Sequence, residues 1–257
     1  MRPTPHNSRR RLSCLPAGFA LVELMVALAI ALFLIGGMLT ILQNVRNTYS
    51  DQTKLAQLQD SERLAMTLIT NVVQSAGYFP SPFSNSAGNA LPASPSFPAA
   101  AGGTPPAPVI YGVTNANPQG DTIAVRYAAA NTDQIMNCMG QTNTTVAPYV
   151  SWENDFAVDN KQELTCAVWD SKSNATTTRA VVTGVLGMSL LYGVQTNALS
   201  NGTCTDTYMT ATQVQANNDW GNVCSVQVTL TFASPVPNTP NASFTRTIAV
   251  MSHGGVL

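Results

Sequence analysis

The chain has 257 residues, room for one large domain or two small ones with a true core. Only 10% of them are Asp, Glu, Lys or Arg, against roughly 25% in an average soluble domain, and Thr, Asn and Ser are abundant, a neutral polar surface that suits an exported protein. Four of the 12 basic residues, Arg2, Arg9, Arg10 and Arg11, lie in the first 18 positions, where no acidic residue stands; without that segment 8 basic residues face 13 acidic ones, a formal charge of −5 that excludes a basic face for nucleic acid.

The arginines precede a long apolar run, "GFALVELMVALAIALFLIGGMLTIL". From Phe19 to Leu42 it holds one charge, Glu23. As helix these 24 residues reach about 36 Å, more than the roughly 30 Å of a bilayer's hydrocarbon core. The arginine cluster keeps the N-terminal end cytoplasmic and sends the rest of the chain outward, to the periplasm in a two-membrane envelope. An ordinary secretory signal fits poorly, because the only Ala-x-Ala, Ala29-Ile30-Ala31, is buried in the apolar run. A twin-arginine signal around Arg9, Arg10 and Arg11 would need a shorter and less apolar segment. A lipoprotein signal would need its cysteine after the run, and Cys14 precedes it. A plain signal anchor tolerates Glu23 near the headgroups, where a carboxylate costs less than the about 2.5 to 3.5 kcal/mol it costs at the bilayer centre.

The helical pattern continues past Leu42 in a polar register, with Leu55, Leu58, Ala65, Ile69, Val72 and Val73 at steps of three and four. It stops at Gly77, a good residue for the position just beyond a helix, with Pro80 after it. The spacing predicts one helix over Phe19–Ala76, about 87 Å long. Gly36-Gly37 inside it either loosens the helix, at about 1 kcal/mol per glycine, or lets another helix approach closely.

Residues 80 to 108 hold eight prolines among Ala, Ser and Gly, the composition of an extended linker or surface loop. Beyond it strands are expected at 121–127, 164–169, 179–194, 223–232 and 244–251. The fourth is the clearest: Cys224, Val226, Val228, Leu230 and Phe232 alternate with Ser225, Gln227, Thr229 and Thr231, the period of a sheet with one covered face. The second half of the helix is the natural cover. The whole predicts an α+β fold, a long N-terminal helix packed on an antiparallel sheet.

Five cysteines leave an even number once Cys14 is set aside with the leader, and none forms a Cys-x-x-Cys pair. His253 is the only histidine beyond the leader, so zinc ligation is poorly supported and two disulfides fit better. Four cysteines permit three pairings. The expected one joins Cys138 to Cys166 and Cys204 to Cys224, the second tying the loop 196–222 to the start of a strand, at roughly 3 kcal/mol of stabilisation each.

No GxSxG, HExxH or P-loop is present, and no catalytic set can be assembled, so an enzyme is not expected. The stretch "WENDFAVDNKQE" offers Glu153, Asp155 and Asp159 as cation ligands but lacks EF-hand spacing, and a solvated loop is the expected reading. No metal or cofactor is expected. Trp152, Trp169 and Trp220 are scattered and read as packing residues.

The junction Gly18-Phe19, with Glu23 as the fifth residue after the glycine and an unbroken apolar helix beyond, resembles the class III leader of type IV prepilins. In that family a membrane peptidase cuts after the glycine and methylates the new N-terminus. The resemblance implies cleavage between Gly18 and Phe19, N-methylation of Phe19, and a role for Glu23 in subunit assembly, attracted to the amino group of a neighbouring subunit. Unpaired, an ammonium and a carboxylate are each costly in a lipid-like setting, and each relieves the other.

The segments "ERLAMTLITNVVQSAGY", "GDTIAVRY", "NCMGQ", "ELTCAV", "VTGVLGMSLLYGV" and "FTRTIAVMS", in that order, narrow the resemblance to PilW-like minor pilins. It implies a leader at 1–18 that is removed, a transmembrane part of the spine at 19–42, an amphipathic part at 43–77, a Pro-rich loop at 78–108 and a periplasmic β-rich head at 109–257. It also implies a minor pilin that primes pilus assembly at the filament tip, with other minor pilins, the major pilin, the prepilin peptidase and the inner-membrane assembly platform as partners. A minor pseudopilin of type II secretion shares these features, and a signal-anchored periplasmic enzyme or binding protein is the reading from another class.

Overall fold

A computed structural model describes residues 21–98, 108–131, 133–144, 146–196 and 204–251. The chain divides into two compact units at Gln52/Thr53. The first unit is described from Leu21 onward and is helical throughout, as the opening part of α1 (Leu21–Gln74). Gly36 and Gly37 keep helical geometry, and Thr40 donates its hydroxyl to the Gly36 carbonyl at 3.0 Å.

In the second unit the rest of α1 buries Ala65, Met66, Ile69, Val72 and Val73, five residues on one face at helical spacing. They join the interior of a nine-stranded sheet. Burying each of the larger side chains contributes about 1.5 to 3 kcal/mol. The helix end is tied to that sheet by backbone: Gly77 adopts φ +75 and donates its N–H to the Arg126 carbonyl at 2.9 Å, and the Tyr78 carbonyl accepts from Ala128 at 2.8 Å.

The strands are β1 (Ile110–Asn117), β2 (Gly120–Ala130), β3 (Tyr149–Val158), β4 (Glu163–Asp170), β5 (Ala175–Thr183), β6 (Val185–Val194), β7 (Thr207–Met209), β8 (Val223–Phe232) and β9 (Ala242–Ala249). Their order is β5-β4-β3-β2-β6-β8-β9, with β1 on β2 and β7 on β6. All pairings are antiparallel except β2 with β6, which meet in parallel at the single pair Gly120 and Met188. Strand β8 covers the residues expected for it, and its apolar set Val226, Val228, Leu230 and Phe232 is buried as its alternation requires.

Four segments differ from expectation, the first being β1, where no strand was expected. The run 179–194, expected as one strand, is two: Gly184, at φ +80, turns the chain between β5 and β6. Residues 152–163, expected as a solvated loop, form most of β3, a turn and the start of β4. Between 196 and 222 the described residues form β7, the helix α3 (Ala211–Asn217) and the 3-10 turn Trp220–Asn222. A capping box starts α3, where Thr210 and Gln213 each bond the other's backbone.

The two faces of β2, β3 and β4 have different covers. Ile123, Val125, Tyr127, Trp152, Phe156, Val158, Leu164, Cys166 and Val168 share the core that α1 completes. The opposite face of β2 and β3 is covered by the Pro-rich segment. There α2 (Ala87–Ala90), capped by Ser86, sets Ala90 and Leu91 against Ala128, and the Ser151 hydroxyl donates to the Ala90 carbonyl. The loop is therefore anchored over residues 90–98, with Phe97 also buried.

Candidate functional site

Every residue from Leu21 to Ser50 is exposed on the first unit, including Leu21, Leu24, Phe33, Ile35, Met38 and Ile41. From Leu21 to Leu42 the helix is apolar on all sides, so its sequence sets no single face for burial. It is long and apolar enough to cross a membrane. Glu23 is the only charge between Leu21 and Leu42 and lies near the start of the described part of this helix. Gly18 and Phe19 lie outside the described residues, as do Cys14 and His253. A side chain on Gly36 or Gly37 would meet nothing within 4 Å, so no packing within the chain requires either glycine.

On the head, the groups of greatest electrostatic consequence are Arg126, which the sequence did not single out, and Glu153 and Asp155, which it offered only as candidate cation ligands. Arg126 on β2 is 2% exposed. Its Nε and one terminal nitrogen donate to the Pro108 carbonyl at 3.0 and 2.8 Å, and the other terminal nitrogen donates to Pro98 at 2.6 Å and Pro92 at 3.4 Å. The guanidinium also lies 4.8 Å from the centre of the Phe97 ring. Opposite Arg126 on β3 is Glu153, fully buried, whose two carboxylate oxygens accept the Ser96 N–H at 3.0 and 3.2 Å. Burial pulls the Arg126 pKa down to about 10 and the Glu153 charge works against that fall, so the guanidinium stays protonated at neutral pH. Arg126 and Glu153, neighbours across the ladder with opposite charges, thus each hold the Pro-rich segment to the sheet through its own backbone hydrogen bonds.

Asp155, two residues along β3, points to the same face as Glu153 and is flanked by Ala124 and Ala167, which carry no charge. Burial pushes its pKa up to about 7, with the Glu153 charge and a hydrogen bond to Glu153 adding to the rise. The folded state therefore binds a proton that the unfolded chain, at the ordinary value of 3.8, has already lost. The stability this contributes is complete below the ordinary value and is lost as pH rises through about 7. Asp155→Asn is expected to remove this loss, so that urea titrations from about pH 4 to about pH 8 show a smaller decline for the variant than for the parent. Parallel declines would separate Asp155 from the pH response. Asp159 does not join this pair: its Oδ1 accepts from the backbone of Lys161 and Glu163, which fixes the β3–β4 turn.

The two halves of the sheet meet at Asp121. Its Oδ1 accepts the Asn115 N–H and its Oδ2 the Leu190 N–H, both at 2.8 Å, and so one carboxylate joins β1, β2 and β6. Gly120 beside it has φ +117, and a Cβ there would collide with the Met188 carbonyl oxygen, so the parallel contact requires glycine. Tyr192, fully buried nearby, has its phenol pushed above the ordinary value by burial and then by the Asp121 charge. Its ring meets Trp220 edge-on at 5.0 Å, and Trp220 in turn lies 5.0 Å from Tyr111. Trp152, Trp169 and Trp220 are all packing residues, 4%, 7% and 6% exposed.

Cys138 is bonded to Cys166 and Cys204 to Cys224, with Cα separations of 6.1 and 5.8 Å. The first closes a span of 28 residues, and the Cys138 N–H also bonds the buried Asn154 side chain. The second ties residue 204 to the start of β8. Among the described residues no group of three or more His, Cys, Asp or Glu side chains could hold a metal ion.

Fold and surface together define the class: an α+β protein whose sheet is capped by the second part of a helix and whose N-terminal helical unit is apolar all round from Leu21 to Leu42. That arrangement is compatible with single-pass membrane anchoring. The family model described as Type IV Pilus-assembly protein W (PilW) matches residues 149–253. The match runs from β3 through β9, less than half of the chain, and supports a type IV pilus-related protein with an envelope location. No curated protein matches the chain.

Proposed function

We propose that the chain is a minor pilin of a type IV pilus, made with a leader ending at Gly18, methylated on Phe19 after cleavage, and assembled through Glu23 and the exposed apolar helix. The observation that carries the reading is the helix itself. From Leu21 to Leu42 it is apolar on every side and holds a single carboxylate, Glu23. Such a surface needs lipid at one stage and other apolar helices at another, which is what a subunit drawn from a membrane into a filament experiences. The match of the distal head to a pilus-assembly family supports the same reading.

In this scheme the N-terminus is cytoplasmic and the head periplasmic, and Glu23 meets the new amino group of an adjacent subunit. Its partners are other minor pilins, the major pilin, the prepilin peptidase and the inner-membrane platform. The role is structural and priming, at the filament tip, with no catalysis by this chain.

Mass spectrometry of the mature protein tests the leader directly. A methylated N-terminus at Phe19 is expected, and a chain that retains Met1 to Gly18, or one cut beyond Ala31, would overturn the reading. For assembly, Glu23→Ala is expected to insert and be cleaved yet leave cells poorly piliated. Normal piliation in a strain that depends on that variant would return Glu23 to an incidental charge.

A further inference from the structure

We propose that the outer edge of β5 accepts an extended, acidic segment of a different chain as an added strand, with a carboxylate of that segment against Arg179. Among the described residues strand β5 ends the sheet, pairs only with β4, and carries six consecutive exposed residues from Ala175 to Ala180. Both of its faces are open there, so its regular form comes from pairing with β4 and from the turn that leads into it. That turn is fixed: Asp170 Oδ1 accepts from Lys172 and Ser173 at 2.7 and 3.1 Å, its carbonyl accepts from Asn174 at 2.8 Å, and the Trp169 indole donates to the Asn174 side chain at 3.1 Å.

Free edges are commonly blunted by proline, lysine, shortness or a bulge. Strand β5 is nine residues long, "ATTTRAVVT", with no proline and no lysine. Its register irregularity falls near Val182, leaving Ala175 to Ala180 paired in unbroken register with β4. Its threonines and valines favour extended structure. An added strand would gain backbone hydrogen bonds along this edge, and side-chain chemistry would select the partner.

The selecting charge is Arg179, the only charged residue of β5. The carboxylates of β4, Glu163 and Asp170, stand opposite Thr183 and Ala175 at the two ends of the strand, whereas Arg179 stands opposite Cys166. A second copy does not supply the missing charge. Pairing β5 with itself about its midpoint sets Arg179 against Arg179. Strand β9, which ends the sheet on its other side, has Arg246 as its only charge. Like charges across a ladder disfavour both arrangements, and a partner strand bearing Glu or Asp is left.

The proposal does not depend on the leader or on pilus assembly, and its test uses the full chain in detergent. Two fluorescent peptides serve as probes, acetyl-Thr-Val-Thr-Glu-Val-Thr-Val-amide and its analogue with Lys in place of Glu. Binding is read by anisotropy, and its location by hydrogen exchange of the β5 amides. The acidic peptide is expected to bind at least about tenfold more tightly than the basic one and to slow exchange within 175–183. Arg179→Glu is expected to invert the preference, and Arg179→Gln to abolish it, with unchanged circular dichroism in both. Equal binding of the two peptides, no binding of either, or protection confined to other strands would overturn the proposal.

Discussion

Replacing Arg126 with alanine is expected to cost about 3 to 5 kcal/mol of folding stability, since it unmakes charged hydrogen bonds to two carbonyls at about 1.5 to 3 kcal/mol each. Three consequences arise together. Glu153, fully buried, loses the opposite charge across the ladder and keeps the Ser96 N–H and its hydrogen bond with Asp155. The carbonyls of Pro98 and Pro108 lose their donors. Phe97 loses the cation over its ring. Arg126→Lys keeps the charge but not the planar fork that reaches both carbonyls, so only part of the loss is recovered. The discriminating measurement is a double-mutant cycle by chemical denaturation. Adding Glu153→Gln to Arg126→Ala should restore at least about 1 kcal/mol, because the stranded charge is then gone. Additive losses would mean that the two residues act separately.

Asp121→Ala is expected to cost about 3 kcal/mol, since it strips the acceptor from the buried Leu190 N–H and the part-buried Asn115 N–H, at about 1 to 3 kcal/mol each and less for the second. Asp121→Asn, which keeps one acceptor oxygen, should cost about half as much. The location of the damage is the more specific outcome. Beyond the pair Gly120 and Met188 and the bond from the Met188 N–H to the Gln119 carbonyl at 3.1 Å, the Asp121 carboxylate is the main polar tie between β2 and β6. Native-state hydrogen exchange should therefore show the Leu190 and Asn115 amides opening more readily while the β4 amides stay protected. Uniform acceleration through the sheet would show that the joint is not a local one.

These two residues mark where reading along the chain runs out. Asp121 and Arg126 both lie in a segment expected as a strand, "DTIAVRY", yet nothing adjacent in sequence distinguishes them from surface charges. Their partners are remote: Asp121 bonds Leu190, and Arg126 bonds Pro98 and faces Glu153. A buried charge is defined by what closes over it, and here the cover is a loop whose composition suggested only extension.

Strand β3 failed to stand out for a related reason. Val150, Trp152, Asn154, Phe156 and Val158 already alternate with Ser151, Glu153, Asp155 and Ala157, the period of a strand. The acidic residues on the second face suggested solvent, because a sequence does not reveal that the second face has a cover. Counting the period before weighing the charges would have placed the strand, though not the pairing of Glu153 with Arg126.

What the sequence determined by itself rests on local rules. The apolar length from Phe19 to Leu42, the one-sided spacing of Ala65, Ile69, Val72 and Val73, the alternation in β8 and the even number of distal cysteines each follow from neighbours a few positions apart. Tertiary structure alone decided the joint at Asp121, the clasp of Arg126 and Glu153 over the Pro-rich segment, and the placing of β5 as an open edge. The physical reason is that periodicity records which face of an element is apolar. Desolvation, charge coupling and strand order depend instead on residues tens of positions away, brought together only when the sheet closes on its helix.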